Sequence, residues 1–156
     1  MKSLESCLAV ETDTKFSRKE NGKAFELRCG QEIECQIYDM ECVFEAEDIK
    51  HCDWLFTVHK TSQRNQSLEL SKSKAYYVEL KGNDHKNVCR QLFNAIDRTK
   101  AKFPNFDFNA RIVSTTGLQP ELITNEYFKR VRRIIGKEIV VRKVHKGNQF
   151  KYTENI

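Results

Sequence analysis

The chain lacks any long hydrophobic run, and this absence limits what kind of protein it is. No apolar stretch among its 156 residues approaches the length of a membrane-spanning helix. The residues after Met1 also lack the basic and then apolar order of a secretion signal. We therefore predict a protein with no membrane segment and expect it to be cytoplasmic.

The six cysteines include no Cys-x-x-Cys pair, the spacing that most often indicates zinc. Together with the missing secretion signal, this favours a reducing compartment in which thiols stay free. We predict free thiols, several of them packed as small apolar side chains. A metal or iron–sulfur site built from distant cysteines is the alternative. The cysteines stand at positions 7, 29, 35, 42, 52 and 89.

No internal repeat and no second hydrophobic core is visible, so the sequence predicts one domain over residues 1–156. An apolar content of 39% and a charged content of 31% suit a folded protein of this size. Residues 1–22 form a mixed N-terminal segment, in which residues 3–10 have the pattern of a short helix. Residues 137–156 form a C-terminal hairpin or tail.

Hydrophobic periodicity predicts an α/β (α+β) fold with a mixed central β-sheet flanked by helices. The helix behind Lys81 would be the crossover between two parallel strands. Residues 60–74 are polar and predict a loop between two strands. Strands are predicted at residues 24–29, 33–44, 53–58, 76–80 and 108–113, helices at 88–99 and 125–135, and a hairpin pairing 139–141 with 150–152.

Three charged residues stand at the ends of two apolar strands. Asp53 begins one strand, and Glu79 and Lys81 end the next. Side chains alternate along a strand, so Glu79 and Lys81 point to the same face. Two carboxylates can hold a hard divalent cation, and a neighbouring lysine can stabilise phosphate or an attacking water. The alternative is a turn-capping aspartate and a solvated Glu-x-Lys pair.

This arrangement resembles the PD-(D/E)XK, or restriction-endonuclease-like, nuclease superfamily. The resemblance covers residues 34–116 and includes the order of elements, although no proline precedes Asp53. It implies a restriction-endonuclease-like core in which Asp53, Glu79 and the carbonyl of Leu80 hold Mg²⁺ or Mn²⁺. Lys81 would activate or orient water. Gln91, at the border of the helical stripe, stands where the family places a helical glutamine or lysine; a surface glutamine is the alternative.

Charge is distributed unevenly along the chain, although the net charge is only +5. Residues 32–53 contain eight acidic residues and one lysine, whereas residues 129–151 contain nine Lys or Arg and one Glu. Asp39, Glu41 and Glu45 are candidates for a further carboxylate, with surface charge as the alternative. The basic residues predicted to bind nucleic acid are Lys129, Arg130, Arg132, Arg133, Arg142 and Lys143. A solvated helix face and a charged edge strand would explain them equally well.

The function predicted from these features is metal-dependent hydrolysis of DNA phosphodiester bonds, in defence or repair. RNA is the other substrate class, and a homodimer or a larger nuclease assembly is compatible with the pattern. One alternative is a catalytically inactive nuclease-like domain that binds nucleic acid or scaffolds a complex. The other is an interaction protein that docks an acidic partner through its basic C-terminal region.

Overall fold

A computed structural model describes residues 1–9, 15–30, 33–60, 73–81 and 85–156. The fold is mixed α+β, with one mixed sheet, one smaller sheet and a few helices, which confirms the prediction at that level. In the described residues no helix combines the length and the apolar character that a membrane span requires. The strands are β1 (Leu8–Ala9), β2 (Lys15–Glu20), β3 (Lys23–Arg28), β4 (Ile33–Asp39), β5 (Trp54–Lys60), β6 (Lys74–Leu80), β7 (Asp107–Ser114), β8 (Val140–Lys143) and β9 (Lys151–Asn155), and the helices are α1 (Met40–Phe44), α2 (His85–Thr99), α3 (Pro120–Thr124) and α4 (Glu126–Ile135).

The larger sheet has six strands in the order β1-β4-β5-β6-β7-β8. Strands β1, β4, β5 and β6 pair antiparallel, whereas β6, β7 and β8 pair parallel. Parallel neighbours need a crossover connection, and α2 makes the one between β6 and β7, as predicted. The carboxyl ends of β6, β7 and β8 therefore lie along the same edge of the sheet as the amino end of β5. We call this the site edge.

The smaller sheet, β2-β3-β9, was not predicted. Strands β2 and β3 form a hairpin whose turn places Asn21 at φ 50° and Gly22 at φ 72°. Two adjacent positive φ values are typical of the Asn-Gly hairpin turn. Residues 15–20, part of the segment predicted to be mixed, thus form a strand.

The predicted C-terminal hairpin is wrong. Strand β8 pairs with β7 in the larger sheet, whereas β9 pairs parallel with β3 in the smaller one. A short 3₁₀ turn at Lys146–Asn148 leads from one sheet to the other. The apolar residues of the two segments therefore serve different sheets.

Two apolar cores lie on opposite faces of the larger sheet. Tyr77 belongs to the core under α2 and α4, whereas Tyr76 and Val78 belong to the core between the two sheets. Strand β6 is consequently buried on both faces, which explains its nearly continuous apolar sequence. We call the two faces the helix face and the inter-sheet face.

The predicted strand at 33–44 is too long. It ends at Asp39, whose Oδ1 accepts hydrogen bonds from the backbone N–H groups of Glu41 (3.0 Å) and Cys42 (3.3 Å). This side chain caps α1, so the chain turns into a helix where the apolar pattern alone indicated more strand. The predicted helix at 3–10 is also shorter, because only a 3₁₀ turn at Glu5–Cys7 precedes β1.

The prediction of free thiols is wrong for two cysteines. Cys7 and Cys42 form a disulfide that ties the N-terminal turn to α1. Cys29, Cys35, Cys52 and Cys89 are free.

Other predicted elements are confirmed. Helix α4 begins after Asn125, whose side chain accepts from two backbone N–H groups, and ends at Gly136 with φ 68°. Strand β7 occupies the predicted position, and α2 covers the predicted helical stripe. The polar stretch predicted as a loop lies largely outside the described residues, but β5 and β6, on either side of it, pair directly.

One buried ion pair joins the two sheets. The guanidinium of Arg111 on β7 donates to both carboxylate oxygens of Glu154 on β9, each at 2.6 Å. The same guanidinium lies 5.0 Å from the ring centre of Tyr76. Arg111 is only 6% exposed, so losing its partner would leave a charge in the inter-sheet core.

We expect Glu154→Ala to lower the free energy of unfolding by about 3 kcal/mol, because it leaves Arg111 buried without a counter-charge. Urea unfolding followed by circular dichroism measures the loss. Glu126→Ala is the matched control, since its pair with Arg130 is exposed and should contribute less than about 1 kcal/mol. Equal effects of the two substitutions would show that the buried pair does not hold the sheets together.

Candidate active site at the end of strand β6

Asp53 and Glu79 are neighbours across two paired strands. The register places Trp54 opposite Val78, so the next position places Asp53 opposite Glu79. Leu55 and Tyr77, two residues away from each, belong to the core of the helix face. By alternation both carboxyl groups lie on that face, at the site edge, and Lys81 follows on the same side.

Asp53 is fixed by a backbone contact from the neighbouring strand. Its Oδ2 accepts a hydrogen bond from the Leu80 N–H at 2.6 Å. Burial raises the pKa of Asp53 to about 6, although this hydrogen bond and the charge of Lys81 act in the opposite direction. The nearby Glu20 carboxylate adds to the rise.

Glu79 is fully buried, with 0% of its surface exposed. Among the described residues neither of its carboxylate oxygens has a hydrogen-bond partner, and Lys81 Nζ lies 3.6 Å from Oε1. Burial, and after it the charge of Asp53, raise the pKa of Glu79 to about 9, although Lys81 acts in the opposite direction. An ionised Glu79 needs another positive charge close by.

The β2–β3 hairpin covers the end of β6. Asn21, in the hairpin turn, donates from Nδ2 to the carbonyl oxygen of Leu80 at 3.2 Å. This contact brings the smaller sheet to the backbone between Glu79 and Lys81. It also accounts for the presence of Glu20 beside Asp53.

An acidic cleft opens beside these groups, with a volume of about 320 Å³. The predicted carboxylates Asp39 and Glu41 line it, whereas Glu45 pairs with Lys2. The Asp39 carboxylate caps α1 through its hydrogen bonds to the backbone. This structural role explains the presence of an acidic residue that was predicted as a further carboxylate of the site. The residues that line the cleft are Glu20, Asp39, Glu41, His51, Asp53 and Trp54.

Three cleft residues were missed in the sequence. Glu20 was missed because β2 was not recognised, and the Asn21-Gly22 pair was the available signal. His51 stacks on Phe44 at 5.1 Å and lies 3.3 Å from Glu41. Trp54 has a buried indole N–H without a partner in the described part of the chain. Nothing in the sequence distinguished these two from core residues.

Gln91 lies behind the segment that leads to Asp53. Its Nε2 donates to the His51 carbonyl at 3.0 Å, and Asn94 donates to the Lys50 carbonyl at 2.8 Å. Its Oε1 is buried and has no partner within the described residues. Gln91 thus anchors the backbone segment that precedes Asp53, and a direct catalytic role for Gln91 stays a prediction.

The donors available for a metal are two carboxylates and one carbonyl. In the parts of the chain that the structure describes, no three His, Cys, Asp or Glu side chains lie together in a way that could hold an ion. The remaining set is Asp53, Glu79 and the Leu80 carbonyl, all of them oxygen donors. Oxygen donors suit Mg²⁺ or Mn²⁺, and the unpartnered oxygens of Glu79 have lone pairs to offer.

The structure divides the basic residues predicted to bind nucleic acid. Arg130 and Arg132 pair with Glu126 and Glu138 on or beside α4. The end of α4 lies toward the edge opposite the site, because Lys137 just beyond it contacts Asp107 at the start of β7. Arg142 and Lys143 end β8, at the site edge. Lys129 and Arg133 are exposed on α4.

Comparisons of the chain with protein-family models, with curated proteins and with solved structures find no match. The functional interpretation therefore depends on the geometry of the site.

The raised pKa of Glu79 predicts a stability that falls with pH. The folded protein keeps this proton up to pH about 9, whereas the unfolded chain releases it near the ordinary value of 4.5. Between these values the folded state binds more protons, so rising pH favours unfolding. We expect the wild-type Tm, measured in EDTA, to fall from pH 5.5 to 8.5 by at least about 3 °C more than that of Glu79→Gln.

Glu41→Gln is the control for this measurement, because the Glu41 side chain is 84% exposed. It should follow the wild-type pH dependence. Parallel curves for the wild type and Glu79→Gln would contradict the buried, protonated state of Glu79.

Proposed function

We propose that the protein is a metal-dependent phosphodiesterase that hydrolyses DNA. The observation that carries the proposal is the fully buried Glu79, which faces the Asp53 carboxyl across the strand pair and has Lys81 Nζ 3.6 Å from its Oε1 as a counter-charge. Burying such a group costs stability, and a buried acid with a strongly perturbed pKa beside a second acid is typical of functional sites. RNA is the other substrate with the same phosphodiester chemistry.

The proposed core is the restriction-endonuclease-like arrangement of β4, β5, β6, α2 and β7. Its support is the order of these elements: three antiparallel strands, then a helical crossover to a parallel strand. Asp53 immediately precedes the second of those three strands, and Glu79 lies near the end of the third.

Each residue has a specific task in this proposal. Asp53, Glu79 and the Leu80 carbonyl hold Mg²⁺ or Mn²⁺, which when bound stabilises negative charge on the phosphate. The Leu80 N–H fixes the Asp53 carboxylate from the neighbouring strand. Lys81, partly exposed beside Glu79, orients the attacking water or contacts the phosphate.

Gln91 has a supporting task. Its hydrogen bond to the His51 carbonyl holds the backbone two residues before Asp53. Small displacements of a reacting group cost much activity, so this anchor contributes to the alignment of the carboxylate.

A second candidate is a nuclease-like domain that binds nucleic acid without cleaving it. It is favoured by the lack of a third side-chain ligand for a metal in the described residues. The two candidates differ in one observable, which is turnover.

We expect the purified protein to cleave a supercoiled plasmid or a labelled oligonucleotide in Mg²⁺ or Mn²⁺ and not in EDTA. Asp53→Asn, Glu79→Gln and Lys81→Met should each lower the cleavage rate by about 100-fold or more, because each removes a proposed ligand or charge. Glu41→Gln, on the rim of the same cleft, should keep its activity.

Activity that survives all three substitutions would remove this site from the proposal. DNA binding without cleavage by the wild type, under every metal condition, would favour the second candidate.

A further inference from the structure

Three residues form a row across the parallel strands at the site edge. The register pairs Leu80 with Val113, and the Lys81 N–H donates to the Val113 carbonyl at 3.0 Å, so Lys81 lies beside Ser114. Ser114 pairs in turn with Lys143 on β8. Strands lie about 4.8 Å apart, so the backbones of Lys81 and Lys143 are separated by about 10 Å.

The two lysines of this row share one face of the sheet. Tyr77 and Val141 contact the core of the helix face, and alternation places Lys81 and Lys143 on that side. Arg142 points to the opposite face, where its guanidinium lies 5.4 Å from the ring centre of Tyr152. Two adjacent exposed cations thus have different surroundings.

The loop after β7 packs against the Cα and Cβ of Lys143. Gly117 has φ 73°, and a Cβ at that position would lie 3.1 Å from the Cβ of Lys143. The Gly117 N–H donates to Ser114 Oγ at 2.9 Å, and the Val144 N–H donates to the Ser114 carbonyl at 2.8 Å. The close packing restricts the directions that the Lys143 side chain can take. No hydrogen bond or ion pair to another described residue occupies its ammonium group.

The charges on the two sides of the site differ in sign, which gives a bound polyanion a preferred direction across the sheet. On the β4 and β5 side lie the carboxylates of Glu20, Asp39 and Glu41, which repel phosphate. On the β7 and β8 side lies Lys143, a cation without a counter-charge in the described part of the chain. Arg18 is a described cation on the β4 and β5 side, and it lies over the Trp54 ring among these carboxylates. Within the described residues, a polyanion bound at Asp53 and Glu79 therefore gains the attraction of Lys143 by crossing β7 toward β8.

We propose that Lys143 binds a backbone phosphate of the nucleic-acid strand that occupies the site, and that this strand crosses the sheet from β6 toward β8. Lys81 contacts one phosphate and Lys143 another phosphate of the same strand. Gly117 serves as a positioning residue for Lys143. This inference depends on the proposed function for the location of the strand, whereas its test requires binding alone and no cleavage.

The test measures binding of a fluorescein-labelled 20-base-pair DNA duplex by anisotropy, in EDTA, over a series of salt concentrations. Log K falls as log salt rises, and each lost phosphate contact makes this negative slope shallower by about 0.9. We expect Lys143→Met to make the slope shallower by about that amount and to lower the affinity several-fold. Lys143→Arg should restore both.

Arg142→Met is the matched control and should leave the slope within about 0.3 of the wild type, because the side chain points away from the row. The Lys81→Met, Lys143→Met double variant should lose about 1.8 from the slope, since the two contacts are separate. Circular dichroism and Tm confirm folding, which an exposed lysine should not affect.

A Lys143→Met slope equal to that of the wild type, equal losses for Lys143→Met and Arg142→Met, or no binding by the wild type would each overturn the inference. If Lys143→Met changes the slope as expected but the wild type never cleaves DNA, the proposed hydrolysis is overturned and the Lys143–phosphate contact is still supported.

Discussion

The carboxyl group of Glu79 is fully buried near the end of β6, so the residues around it must accommodate an ionisable group away from water. Burying a carboxylate costs several kcal/mol unless it is neutralised or paired. Here Asp53 adds a second acid directly across the strand pair, and Lys81 approaches only to 3.6 Å. The raised pKa of Glu79 indicates that this cost is met by keeping its proton. A divalent cation would meet it in another way, by replacing that proton.

Both sheets contribute to the surroundings of this group. The larger sheet supplies Asp53, Glu79 and Lys81 from adjacent strands, while the Asn21 turn of the smaller sheet contacts the Leu80 carbonyl. The Arg111–Glu154 pair joins the sheets through the inter-sheet core. The site is therefore a product of long-range packing rather than of one local motif.

The sequence was sufficient for the parts of the site that follow from strand alternation. Glu79 and Lys81 had to share a face, and the helix after them had to return the chain for a parallel strand. Helix α4 was predictable at both ends, because Asn125 caps it and Gly136 takes a positive φ. These features depend on neighbours in the chain.

The remaining features depend on distant contacts or on competing local signals. Strand β2 consists largely of polar residues, so its apolar pattern was weak even though Asn21-Gly22 marks a hairpin. Asp39 interrupts a strand-like pattern by capping α1, which the alternation conceals. No local pattern distinguishes a β8–β9 hairpin from two strands in separate sheets, since the difference lies in their partners, β7 and β3.

The proposed function requires that Asp53 and Glu79 together hold a divalent cation. A crystal of the wild-type protein soaked in Mn²⁺, with anomalous diffraction recorded near the manganese absorption edge, tests it most directly. We expect an anomalous peak between the two carboxylates, with the Leu80 carbonyl as a third ligand and oxygen distances of about 2.1 Å. Crystals that bind Mn²⁺ elsewhere, with no peak between Asp53 and Glu79, would contradict it.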